Sequence, residues 1–118
     1  CKETGLYAGQ VAKFNPLIRE LINEQDLYIS PIVRLELQYL YEIQRIMDDA
    51  TTVITDLSNR VGLTVCDKDW NSIISRSILL TWTRDPFDRL IVAHADLNHN
   101  ILLSKDETIL RNYVYATW

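Results

Sequence analysis

A chain of 118 residues, 47% hydrophobic and 24% charged, has the length of one domain and buries roughly two-thirds of its unfolded surface, enough for a single core. Its composition excludes disordered and fibrous classes. No apolar run approaches the roughly 20 residues of a membrane span and no signal-peptide pattern is visible, so a cytoplasmic protein is expected. The two cysteines, Cys1 and Cys66, are too few for a disulfide scaffold and lack paired metal-ligand spacing. A formal net charge of −4 argues against a broad electrostatic footprint for nucleic acid. A nucleic-acid enzyme remains open, since metal ions can mask clustered acids while local bases hold phosphates.

In chain order, residues 11–24 read as an amphipathic helix with Leu17, Ile18, Leu21 and Ile22 on its apolar face and Asn15-Pro16 near its start. Residues 27–29 form a short strand. Ser30-Pro31 then pairs a capping hydroxyl with a proline suited to the first helical position. The helix that follows is expected over residues 31–50, with Ile32, Glu36, Leu40, Ile43 and Met47 on one narrow stripe. A carboxylate within that stripe is unusual. Residues 51–60 form a further helix, Val61-Gly62 a turn, and residues 63–66 a strand ending beside Asp67. Asp69 caps a helix running to Leu80.

Residues 84–107, RDPFDRLIVAHADLNHNILLSKDE, organise the second half of the chain. Asp85-Pro86 is a helix start, Asp88 falls in its first turn, and Leu90, Ile91, Ala93, His94 and Leu97 make the helix apolar. Asn98-His99-Asn100 is a turn, Ile101–Leu103 an apolar strand, and Ser104-Lys105-Asp106 lies at its C-terminal end. Asp106 or a neighbour caps a short helix over residues 108–111, and residues 113–118 supply a final edge strand. Short apolar strands alternating with helices predict an α/β fold, a three-layer sandwich with a short, mostly parallel sheet flanked by helices. Open sheets of this kind place ligands at the C-terminal strand ends, so Asp88 and Asp106 can meet across one crevice.

Glu36, Asp88 and Asp106 come from three separate elements, with Asp85 one turn before Asp88. Carboxylates gathered in a cleft repel one another and raise at least one pKa unless a cation joins them. Mg²⁺ or Mn²⁺ suits such a set, because hard divalent ions take oxygen ligands and keep waters. Each acid also has a plain structural reading. Asp85 and Asp106 serve as helix caps, Asp88 complements a helix dipole, and Glu36 pairs with an arginine. His94 reads as a hydrogen-bonded packing residue and His99 as an exposed turn residue. Asp67 and Asp69 are explained by a turn and a cap. Trp70, Trp82 and Trp118 belong to core or interface, and Cys66 is a small buried hydrophobe. With three glycines and no glycine-rich phosphate loop, a nucleotide-binding phosphotransferase is disfavoured.

The ordered set S-P-I-V-R-L-E-L at residues 30–37, D-P-F-D-R-L-I-V-A-H-A at 85–95 and L-L-S-K-D-E at 102–107 resembles the PIN-domain ribonucleases, in particular the VapC-type toxins of toxin–antitoxin systems. With a looser match at residues 6–10 and at Trp118, the likeness covers nearly the whole chain. It implies a single PIN-like domain over residues 1–118. It also implies a metal-dependent endoribonuclease in which water attacks phosphorus, leaving 5′-phosphate and 3′-hydroxyl ends. Glu36, Asp88 and Asp106 would be metal ligands, directly or through water, with Asp85 and Ser104 auxiliary. Arg84, Arg89 and Lys105 would meet substrate phosphate. An RNA substrate, an antitoxin offering a basic side chain to the cleft, and a homodimer are the implied partners.

The start of the chain departs from that family pattern. Residues 6–10 resemble the end of the family's first helix, and the apolar strand ending in Asp that should precede it has no counterpart in Cys1-Lys2-Glu3-Thr4-Gly5. The domain therefore reads as N-terminally incomplete, lacking its first strand and first acid. The chain given is shortened, another segment or subunit supplies the strand, or this copy has lost it. The missing acid keeps a second expectation alive, a catalytically inactive PIN-like interaction module.

Overall fold

The computed structural model describes residues 5–9 and 26–118; the helix expected over residues 11–24 lies outside them. Five strands form one all-parallel sheet: β1 (Leu6–Ala8), β2 (Leu27–Ile29), β3 (Thr64–Val65), β4 (Ile101–Leu103) and β5 (Ala116–Thr117), in spatial order β3-β2-β1-β4-β5. Among the described residues five helices flank it: α1 (Pro31–Glu42), α2 (Ala50–Val61), α3 (Trp70–Ile78), α4 (Pro86–Asp96) and α5 (Glu107–Asn112). This is the layered α/β arrangement expected from the alternation of apolar strands and helices.

The central slot corrects one expectation. Residues 6–8, expected at the end of a helix with the first strand missing, are themselves the central strand. Leu6 is in register with Leu27 on one side and Ile101 on the other, and Ala8 with Leu103. A segment of the same chain thus occupies the position, and the physical reason is the sheet's need for backbone partners at its middle. Leu6, Tyr7 and Ala8 are fully buried, as a strand covered on both faces requires. Tyr7 stacks on Tyr28 with centroids 5.6 Å apart, and its hydroxyl hydrogen-bonds Cys66 Sγ at 3.1 Å.

A second correction concerns the long helix. The chain leaves the helix at Glu42 instead of continuing to Ala50. The Arg45 amide donates to the Leu40 carbonyl at 2.8 Å and the Gln44 amide to Tyr41 at 3.0 Å, closing a Schellman turn with Gln44 at φ 63°. Ile43 and Met47, which extended the apolar stripe in sequence, are 44% and 95% exposed. The face of α1 that packs inward carries Val33 and Leu37. Asp49 then restarts a helix, its side chain accepting from the Thr52 amide at 2.8 Å. Gly62, at φ 70°, ends α2 in the left-handed conformation that glycine adopts without Cβ strain.

The remaining elements fall where expected. Ser30 and Asp69 cap α1 and α3, and α4 packs on α1, α3 and β4. Lys68 pins the loop after β3, donating to the His94 carbonyl at 2.6 Å and Asn100 Oδ1 at 3.0 Å. Burial pushes its amine below the usual lysine range. Because Asp49 rather than Asp48 makes the cap that separates α1 from α2, Asp49→Ala should lower the thermal midpoint and Asp48→Ala leave it unchanged. Circular-dichroism melts of the two variants check this, since one uninterrupted helix would tolerate both.

Candidate functional site

The cleft is assembled at the C-terminal ends of the central strands. β1 runs into Gly9, whose amide donates to the Leu103 carbonyl at 2.9 Å. β4 runs into Ser104, held by its own amide on the Thr117 carbonyl at 3.1 Å. β2 runs into α1, which starts on the Ser30 hydroxyl, an acceptor for the Ile32 amide at 3.2 Å. With Pro31 fixing the first turn, α1 turns Val33 and Leu37 into the core and leaves Glu36 half-buried beside them. The fourth contributor is the N-terminus of α4.

Around a cavity of about 320 Å³, Glu36 of α1, Asp85 and Asp88 of α4 and its cap, and Ser104 and Asp106 beyond β4 line one surface together with Gly9. All five acids and auxiliaries singled out in the sequence therefore share a cleft. Asp85 Oδ1 accepts the Phe87 amide at 2.8 Å and the Asp88 amide at 3.4 Å. Asp106 Oδ1 accepts the Ile109 amide at 3.0 Å, and its own amide donates to Ser104 Oγ at 3.1 Å. Both acids are thus helix caps and cleft residues at once, each using one carboxylate oxygen for the cap. Glu36 does not take its plain structural reading, for among the described residues no ion pair involves it.

The electrostatics carry the signature of unneutralised charge. Burial, then the neighbouring Asp88 and Asp85, push the Glu36 carboxyl above its ordinary value. Burial, then Asp85 and Asp106, raise Asp88 to about 6. Desolvation and like-charge repulsion both penalise the ionised form.

Three cations sit elsewhere. Arg84 Nη1 donates to the Thr81 carbonyl at 2.9 Å, Arg89 Nε to the Thr83 carbonyl at 2.8 Å, and Lys105 Nζ lies 4.9 Å from the centre of the Trp118 ring. None of the three lines the cleft. His94 is buried, its Nδ1 within 3.0 Å of the Leu90 carbonyl, and burial holds its pKa below the usual value. His99 is an exposed turn residue at φ 55°. Sequence reasoning missed Tyr39, Leu40 and Phe87 as cleft residues. The signal was present for Tyr39, which lies three residues after Glu36 and hence on the same side of the helix. A larger cavity of about 550 Å³ between α1 and α2, lined by Leu37, Met47, Val53 and Leu57 among others, holds no comparable set of acids.

Against known protein families, residues 12–114 match the PIN domain. The chain belongs to the PIN domain family. No curated protein matches it. PIN domains are generally metal-dependent nucleases that act on RNA. Among the described residues of this PIN domain the side-chain donors offered to the cleft are carboxylate and hydroxyl oxygens with no histidine or thiol, a set that fits a hard divalent ion. Among the described residues no three His, Cys, Asp or Glu side chains converge tightly enough to form a direct ligand group. Hard ions commonly keep part of their water shell, and water can span such gaps.

The raised pKa of Asp88 has a consequence for stability. An acid that titrates at about 6 in the folded chain and at 3.8 unfolded adds most to stability below pH 3.8, and that contribution is lost as pH rises through 6. In chelator, the unfolding free energy of the chain minus that of Asp88→Asn, from denaturant melts, should fall across this window by on the order of 2 kcal/mol after allowance for solvent screening. A pH-independent difference would contradict the crowded-carboxylate reading.

Proposed function

We propose that this PIN domain is an Mg²⁺- or Mn²⁺-dependent endoribonuclease and the toxin component of a type II toxin–antitoxin module, acting in the cytoplasm as a single domain over residues 1–118. The observation that carries the reading is the meeting of Glu36, Asp88 and Asp106, remote in sequence, in one half-buried cleft where Glu36 and Asp88 titrate high. In this reading those three hold the ion directly or through water, with Asp85 adding charge and Ser104 a hydroxyl. A bound divalent ion supplies neutralisation of a phosphodiester's charge and an acidified water. The chain's own contribution is position. The caps on Asp85 and Asp106 fix two carboxylates to helix N-termini, and the burial of Ser104 fixes its hydroxyl on the Asp106 amide.

The partners follow from the same charge. An acidic cleft with no lining cation among the described residues suits an antitoxin segment that places an Arg or Lys in it, and the family resemblance extends to a homodimer. A second reading, an inactive interaction module, rests on one observation: the residue that follows the central strand into the cleft is Gly9, which offers no side-chain ligand.

Glu36→Gln and Asp106→Asn should each lower Mn²⁺-dependent RNA cleavage by at least about 100-fold. Asn still caps a helix, so the second change removes charge without removing the α5 start. Wild-type chain should gain about 2.7 kcal/mol of stability at a hundredfold excess of Mn²⁺ over its dissociation constant, read by thermal unfolding. No shift and no cleavage together would favour the inactive module.

Gly9→Asp offers a finer test. A Cβ there would meet the Leu103 carbonyl oxygen at 3.4 Å and Ile91 at 3.5 Å, ordinary contacts. The added carboxylate should tighten Mn²⁺ binding in calorimetry, and unchanged affinity would show that the strand end does not reach the ion.

A further inference from the structure

We propose that Tyr39 is the stacking platform for a nucleobase beside the phosphodiester bond in the acidic cleft, an inference that rests on the nuclease reading. Tyr39 follows Glu36 by one turn of α1, and its side chain lines the cleft with Glu36, Asp88 and Asp106. The residue is 55% exposed, and its hydroxyl has no hydrogen-bond partner among the described residues. Two other tyrosines are employed differently. Tyr7 is stacked on Tyr28 in the core, and the Tyr113 hydroxyl donates to the Asn100 carbonyl at 2.6 Å. Tyr39 instead is more than half exposed where it lines a polar cleft, and Leu40 and Phe87 line the cleft beside it.

The charge of the cleft points the same way. Protein–nucleic acid affinity ordinarily comes from lysine and arginine on phosphates. Here no lysine or arginine lines the cleft among the described residues, and Arg84 and Arg89 donate to carbonyls of the turn before α4. Among the described residues stacking is the affinity source that remains, and it tolerates any base because every base has a π face. A base must leave its helix to stack, so the cleft would select unpaired RNA. The competing occupant is a protein. Leu35, Tyr39, Ile43 and Met47, on α1 and the turn that ends it, are 58%, 55%, 44% and 95% exposed, apolar surface that a partner could cover. Only Tyr39 of the four lines the cleft, which favours the base.

The test is fluorescence anisotropy of a labelled eight-residue single-stranded RNA and of the same sequence in a duplex, titrated with the full chain in Ca²⁺. Tyr39→Ala should weaken single-strand binding about 5- to 150-fold, the size of one lost base stack. Tyr39→Phe should stay within about twofold. Tyr41→Ala and Met47→Ala, on the same segment but outside the cleft, should bind as wild type, and the duplex should bind at least about tenfold more weakly. Equal binding by Tyr39→Ala, an equal loss in Tyr39→Phe, an equal loss in Met47→Ala, or no RNA binding by wild type would each overturn the proposal. Cleavage assays in Mn²⁺ separate the two levels. A wild type that binds through Tyr39 but never cuts keeps the stack and removes the nuclease reading. A wild type that cuts while Tyr39→Ala binds and cuts alike removes the stack and keeps the nuclease.

Discussion

The pairing of β1 with β4 at the middle of the sheet is the constraint on which the rest depends. Three rungs, Leu6 with Ile101, Tyr7 with Leu102 and Ala8 with Leu103, set the strand ends level. Gly9 and Ser104 then emerge side by side, tied by the Gly9 amide on the Leu103 carbonyl. Parallel strands need crossover connections, so helices must lie against the sheet. That is how α1, following β2, and α4, preceding β4, come to flank the same opening. The acids are close because the strands are parallel, although 70 residues separate Glu36 from Asp106.

Within that frame, structural and chemical duties fall on the same side chains. Helix N-termini attract anions, so a carboxylate there is stable for reasons unrelated to catalysis. Asp85 and Asp106 satisfy orphan amides of α4 and α5, which holds negative charge in a place that Glu36 and Asp88 find unfavourable. The folding free energy of the capped helices thereby offsets the crowding. Among the described residues no basic side chain relieves it, since the nearby arginines are occupied with turn carbonyls.

Much of this was legible from residues alone, wherever the governing chemistry was local. Ser30-Pro31 and Asp85-Pro86 announce helix starts because cap and proline act within three residues of each other. Ile101–Leu103 announces a strand because a short apolar run between a turn and a polar triplet has few other uses. The convergence of the acids was readable from their positions after strands and at helix starts. Two features were not. Three residues such as Leu6, Tyr7 and Ala8 suit a helix end as well as a strand, and only tertiary pairing decides. Ile43 and Met47 keep helical spacing beyond Glu42, yet the turn at Gln44 is decided by backbone closure that hydrophobic periodicity does not register. Side-chain hydrogen bonds to the carbonyls of a preceding turn, as with Arg84 and Arg89, leave no mark on a sequence at all.

The outermost strands, Thr64–Val65 and Ala116–Thr117, have two residues each. An open sheet rim normally invites another chain to add itself, rung by rung, and so to seed aggregates. Two residues give too short a ladder for such growth. The same brevity lets the interior strands stay almost wholly apolar without the molecule becoming sticky at its margins.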